Sequence, residues 1–149
     1  MKAVIKPKRI YNKRARFNYQ LEDAIEAGIV LTGSEVKAFK HGGVNLSNAY
    51  VKFLNGEPCL VGANFMLENT NDNDPTRSRK LLMHKNQITS TISQLKARRL
   101  TFVPVSMYNK GRLIKISVAL GKPKKKYDKR ASIKEKDVKR EIDRALKNS

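Results

Sequence analysis

The chain has no tryptophan, one cysteine and two histidines among its 149 residues. A lone thiol, Cys59, excludes an internal disulfide and fits a reducing compartment. Zinc takes four ligands, mostly nitrogen and sulfur, so His41, His84 and Cys59 are too few to build a site, and neither a metal nor another cofactor is expected. Cys59 instead reads as a small hydrophobe in a strand, and His41, before Gly42-Gly43, as the cationic end of a helix. Acidic residues are scarce too: 13 Asp and Glu face 32 Lys and Arg, for a net charge of +19. The eight acids of residues 17–120 form no pair suited to general acid–base work, and no phosphate-cradling glycine pattern occurs. These gaps argue against an enzyme. No apolar run approaches the ~18 residues a membrane span needs, and the first residues do not read as a secretory leader. A monomeric cytoplasmic protein with no membrane contact is expected.

What the chain has is positive charge, unevenly placed. Residues 1–16 hold seven Lys/Arg and no acid; residues 17–120 hold thirteen against eight; residues 121–149 hold twelve against five. Such an excess is stabilised by a polyanion, which makes nucleic acid the leading partner class. The distribution divides the chain into a basic arm over 1–11, a nearly ordinary globular domain over 12–121 and a basic tail over 122–149.

Within the middle, "RFNYQL" alternates Phe17, Tyr19 and Leu21 with polar residues and reads as a strand. "EDAIEAG" reads as a short helix stopped at Gly28, and "IVL" as a buried strand. Thr32 and Glu35 have capping-box spacing ahead of a second helix with Val36 and Phe39 on one face. Ala49, Val51 and Phe53 alternate into Asn55-Gly56, a pair that favours a tight hairpin turn. Ile88, Ile92 and Leu95 give a third helix one apolar stripe. A second hairpin turns around 109–111, with Ile114, Ile116, Val118 and Leu120 facing inward. Pro104, which lacks an N–H, marks an edge or a bulge there. About six antiparallel strands with three short surface helices predict a mainly β fold, a small closed β-barrel whose closure removes exposed sheet edges.

Three clusters could bind RNA. In "NKRARFNY", with Asn12, Lys13, Arg14 and Arg16, arginines interleave with aromatics. They could neutralise phosphates while a ring holds an unpaired base, or simply form a solvated basic arm. In "RSRKLL", Arg77, Arg79 and Lys80 adjoin Leu82, whose residue type favours the core. In "KPKKKYDKR", Lys124, Lys125, Lys129 and Arg130 surround Tyr127 and Asp128. Nonspecific electrostatic attraction requires neither an aromatic nor an acid. Ser132 and Glu135 then have capping-box spacing before a thin stripe of Ile133, Val138, Ile142 and Leu146. That pattern suits a helix formed on docking rather than in isolation.

The blocks "NKRARFNY", "EAGIVLTGSEVKAFKHGGVNLSNAYV", "RSRKLL" and "YDKR", in this order from about Asn12 to Lys147, resemble those of the SmpB family, the small protein B of bacteria. The resemblance implies a closed OB-like barrel with surface helices and a basic tail. It also implies binding to the tRNA-like domain of tmRNA (SsrA RNA), and entry with it into ribosomes stalled on messages without a stop codon. The tail would occupy the empty mRNA channel near the decoding centre. Elongation factor Tu and alanyl-tRNA synthetase would be indirect partners through charged tmRNA. By position, the family's tmRNA contacts fall on Glu26 of "EAG", Leu82 of "RKLL" and Lys115 of "RLIKIS", together with Asn12, Arg14 and Arg16; Gly28, the last residue of "EAG", is a further RNA-binding candidate. Its ribosome-facing tail residues fall on Tyr127, Asp128, Lys129 and Arg130. Pro123 departs from the glycine common at that place and stiffens the tail's exit. A structural ribosomal protein, also basic and tailed, is the competing reading; an RNA-processing enzyme ranks third. A sucrose gradient separates the first two, since an adaptor is substoichiometric to ribosomes.

Overall fold

The computed structural model describes residues 8–67 and 75–125. The tail positions Tyr127, Asp128, Lys129 and Arg130 and the helix expected over 132–147 lie outside the described residues. The elements, in chain order, are β1 (Arg9–Tyr11), α1 (Lys13–Asn18), β2 (Tyr19–Leu21), β3 (Ile25–Ile29), α2 (Gly33–Lys40), β4 (Val44–Asn45), β5 (Tyr50–Leu54), β6 (Glu57–Val61), β7 (Asn64–Phe65), β8 (Arg79–Leu82), α3 (Lys85–Arg98), β9 (Thr101–Lys110) and β10 (Leu113–Pro123). The architecture is mainly β with three helices, as expected, but the described residues hold ten strands rather than about six.

One antiparallel ladder runs β1-β9-β10-β3-β8-β6-β5, with β2 added beside the far end of β10 and β4-β7 forming a separate pair. β10 is its spine, pairing with β9, β3 and β2. Among the described residues the ladder stays open, with no rung joining β5 to β9. The two strands still lie against each other, and Phe53 of β5 stacks on Phe102 of β9 at 6.0 Å. Leu46, Leu60, Phe65, Leu81, Met107, Ile116 and Val118 fill the core between them.

Both hairpins form. Asn55 and Gly56 take φ of 53° and 77°, the left-handed pair that a tight primed turn requires. In the β9–β10 hairpin, Ser117 opposes Ser106 while Val118 opposes Pro104, so Val105 is the extra residue of a bulge. Pro104 therefore sits where no ladder donor is demanded. Asn12 fastens this bulge from outside: its backbone N–H donates to Val105 O at 2.8 Å, and its side-chain Nδ2 donates to Pro104 O and Leu46 O at 2.9 and 3.0 Å.

Three local expectations fail. "IVL" is not a buried strand: Ile29 ends β3, and Val30 beyond it is 46% exposed. "EDAIEAG" is not a helix; Ile25–Ile29 is strand β3, paired with β10 on one side and β8 on the other. The first helix lies earlier, at Lys13–Asn18, because the Asn12 side chain accepts from Ala15 N and Ala15 packs inward at 3% exposure. Phe17 and Asn18 thus end a helix, and only Tyr19–Leu21 of "RFNYQL" is strand. The other two helices stand as expected. On α2 both arms of the capping box are made, Thr32 N to Glu35 Oε1 at 2.8 Å and Glu35 N to Thr32 Oγ1 at 3.3 Å.

The boundaries at each end also move. Arg9–Tyr11, assigned to the arm, joins the sheet beside β9. At the other end β10 continues to Pro123, which pairs with Tyr19, and Lys124 N donates to Asn18 O at 2.9 Å. The chain therefore leaves the sheet from a strand tied to the α1–β2 junction.

Candidate nucleic-acid interface

Residues directly opposed across antiparallel strands share a face and interact. Arg9 opposes Tyr108, Tyr108 opposes Lys115, Lys115 opposes Gly28, and Gly28 opposes Leu82. The sequence-distant positions Gly28, Leu82 and Lys115 therefore stand in one row across β3, β8 and β10, on the sheet's outer face. Glu26 and Lys80 lie two residues along β3 and β8, so the alternation of strand side chains puts them on this face too. With Gln87 at the start of α3, these residues line an open groove of about 550 Å³.

Leu82 is 54% exposed, whereas Leu81 beside it is 1% exposed. The core position in "RKLL" is thus Leu81, and the assignment of Leu82 to the core from residue type alone is overturned by strand alternation. Gly28 has a reason to be glycine: a Cβ there would meet the Leu82 Cβ at 3.2 Å. Without one, Leu82 can lie across the neighbouring strand.

Glu26 is held in place rather than loose. The Tyr108 hydroxyl donates to its Oε2 at 2.5 Å and Lys110 Nζ to its Oε1 at 3.4 Å. The Tyr108 hydrogen bond, then the charges of Lys110 and Lys115, hold the Glu26 carboxyl below its usual value despite some desolvation. In turn, burial and the hydrogen bond and charge of Glu26 push the Tyr108 hydroxyl up to about 12. Both groups therefore keep one protonation state through the neutral range: an ionised carboxylate and a neutral phenol donating to it. Lys80 pairs with Glu57 at 3.3 Å, with both side chains about half exposed.

The remaining basic positions divide into two kinds. Lys13, Arg14 and Arg16 are exposed on α1, with Arg14 Nη1 donating to Asn48 Oδ1 at 3.2 Å. Asn12 and Arg79, by contrast, are 3% and 0% exposed. The Arg79 Nε donates to Glu35 Oε2, its Nη1 to Arg77 O at 2.7 Å, and its Nη2 to Pro75 O at 3.0 Å. The guanidinium also stacks 4.0 Å over the Phe65 ring. Arg77, about one-third exposed, reaches the same carboxylate through Oε1 at 2.5 Å. Burial pushes the Glu35 carboxyl up, but the Thr32 backbone N–H and the two guanidiniums outweigh it and hold the group below its ordinary value. Lys124 and Lys125 lie at the exit of β10, away from the groove's lining.

Sequence reasoning missed Tyr108, Lys110 and the β1 pair Arg9 and Tyr11. The only signal available was the cation–aromatic alternation of "RIY", which acquires meaning once the register of β1 against β9 is known. No helix among the described residues is long and apolar enough to cross a membrane.

The family model described as "SmpB protein" matches residues 9–148. An SsrA-binding protein of Exiguobacterium sibiricum is 44% identical over 140 residues, covering 92% of this chain and 90% of its own length. An SsrA-binding protein of Shouchella clausii is 42% identical over 139 residues, covering 91% and 89%. Among solved structures, a chain described under "tmRNA-SmpB: a journey to the center of the bacterial ribosome" superposes with a TM-score of 0.65 at 33% identity, covering 79% of this chain and 85% of that one. The chain belongs to the SmpB family.

Proposed function

We propose that this protein is a tmRNA-binding adaptor of trans-translation, which delivers the tRNA-like domain of tmRNA to stalled ribosomes. The observation that carries the reading is the row joining Lys115, Gly28 and Leu82 beside an anchored Glu26. A lysine on this face neutralises phosphate, an exposed leucine offers apolar contact to a base or ribose, and a carboxylate accepts from base or ribose donors. Held ionised by Tyr108, that carboxylate repels phosphate and favours an RNA surface with donors at one position, so it contributes fit more than affinity.

Asn12 and Arg79 serve this face indirectly in our reading. Asn12 fixes α1 and the bulge, and Arg79 fixes the loop before β8; Lys13, Arg14, Arg16 and Lys80 supply charge. The side-chain contact of β5 with β9 favours a barrel that closes by packing rather than by a hydrogen-bonded rung. The tail past Lys125 reaches the ribosome and occupies the vacant mRNA channel.

Filter binding to the tRNA-like domain across a salt series tests the reading. With about 6–10 phosphates contacted, affinity should fall roughly 10³–10⁵-fold between 50 and 200 mM salt. Lys115→Ala should lower the logarithmic slope by about one. A flat salt dependence, or equal affinity for an unrelated RNA hairpin of the same length, would sink it.

A further inference from the structure

The row that carries Lys115 does not end there. It continues through Tyr108 to Arg9 on the edge strand β1, where rings and guanidiniums alternate in space. The Arg9 Cζ lies 4.3 Å from the Tyr108 ring centroid and 5.9 Å from that of Tyr11. The Arg16 Cζ, arriving from α1, lies 5.7 Å from the Tyr11 centroid. The order is therefore Arg16, Tyr11, Arg9, Tyr108, ending on Glu26 through the Tyr108 hydroxyl. Tyr108 is half-buried and pinned at its hydroxyl, while Tyr11 is 53% exposed.

We infer that Tyr11, flanked by Arg9 and Arg16, is a stacking platform for an unpaired nucleotide, extending the RNA-binding face across β9 to β1. This rests on the adaptor reading only for the identity of the RNA. Three features point to an unpaired base. First, aromatic faces hold splayed bases, and arginine planes stack on bases or neutralise the adjoining phosphate. Two arginines beside one exposed ring supply both functions at one place. Second, Arg9 and Tyr11 are two residues apart on a strand, about 6.7 Å, or roughly twice the 3.4 Å base step. Each side chain can thus serve a different nucleotide. Third, the chain has ten aromatic residues, five Tyr and five Phe. Leaving one of them half in water on the same face as the exposed Leu82 gives that face two apolar contacts at its two ends, with cations between. A double helix presents no unstacked base to such a ring, so the fitting partner is a loop or single-stranded segment. Tyr108, with one ring face toward Arg9 and its hydroxyl on Glu26, holds the arginine in register and couples the platform to the groove.

The test uses the full-length protein and the tRNA-like domain of tmRNA, with 5-iodouridine in place of uridine for crosslinking. Tyr11→Leu should weaken binding by about fivefold or more, the lower end of base–aromatic stacking, with an unchanged salt slope because no charge is lost. Tyr11→Phe should bind within about twofold of the parent, since the ring and not the hydroxyl is used. Arg9→Gln should weaken binding and lower the salt slope by about one. Irradiation should crosslink the RNA to the peptide bearing Tyr11. Near-parental affinity of Tyr11→Leu together with no crosslink overturns the platform. Loss in both Tyr11→Leu and Tyr11→Phe overturns it as well, because a ring platform survives the second change. Lys115→Ala, measured in parallel, separates the two readings. If it weakens binding while Tyr11→Leu does not, the platform is wrong and the adaptor stands. If Tyr11→Leu weakens binding while Lys115→Ala does not, the platform stands and the groove reading fails.

Discussion

Leu81 and Leu82 share a residue type and a strand and differ only in the face they occupy. Leu81 belongs to the core cluster, while Leu82 stands exposed above Gly28. Their truncations should therefore separate two measurements. Leu81→Ala should cost about 2–5 kcal/mol of stability, because it opens a cavity among packed neighbours. Leu82→Ala should change stability by no more than about 0.5 kcal/mol, as surface substitutions do. Its affinity for tmRNA should nevertheless fall, with the salt slope unchanged. Urea melts and filter binding on the two variants give the comparison. A destabilised Leu82→Ala with parental affinity would return that residue to a packing role. From the sequence, "RKLL" shows that one leucine must be inside but not which one. The parity of a four-residue strand is set by its partners, β3 and β6, and not by its own letters.

At the scale of elements, legibility followed the locality of the cause. The hairpin at Asn55-Gly56 and the capping box at Thr32 and Glu35 are made by residues within three positions of one another, and both were readable. "EDAIEAG" was misread because its glutamates and alanines favour helix, whereas its fate depends on β10 and β8, which supply hydrogen bonds on both sides. Ile25, Ala27 and Ile29 do alternate inward, but five residues are too few for that period to outweigh the propensity. Glu35 shows local and distant causes in one side chain. It caps α2 and, at 1% exposure, also holds Arg77 and the fully buried Arg79, which anchor the segment before β8. Only the cap was visible in sequence; Arg77 and Arg79 looked like two more cations for RNA. Removing one member of a buried pair strands the other, so Glu35→Gln should cost about 3–5 kcal/mol near neutral pH. The folded-state pKa of Glu35 is depressed. Its contribution is therefore complete above the unfolded-state value of about 4.3 and is lost as pH falls through the lower folded-state value. The gap in unfolding free energy between parent and variant should be widest above about pH 5 and close in stronger acid. A gap independent of pH would show that the carboxylate's charge is not what holds the segment.

Over the whole molecule, the roles proposed for the sheet and for the tail can be tested apart. The outer face bearing Lys115 lies on strands that the core fixes, and β10 remains paired as far as Pro123. Because Lys124 N still bonds to Asn18 O, a truncation at residue 122 would cut into the β10–β2 contact and confuse the two roles. Deleting residues 126–149 leaves that contact whole while removing nine Lys/Arg and five Asp/Glu. If the tail works on the ribosome and not on tmRNA, this variant should bind the tRNA-like domain nearly as tightly as the parent at moderate salt. At low salt it should bind less tightly, since a net charge of +4 has been lost. Tagging of nascent chains on stalled ribosomes should fail in a reconstituted assay. Within the full chain, Tyr127→Ala should impair tagging and Tyr127→Phe should not, because stacking on a base uses the ring. Asp128→Ala gives the sharpest contrast. It makes the tail more positive, so a tail acting by charge alone would tag at least as well, whereas a tail fitted to a defined site should tag worse. A chain with residues 126–147 scrambled keeps every charge and loses every position. Parental tagging by that variant would reduce the tail to electrostatics and leave the sheet as the only specific surface of the protein.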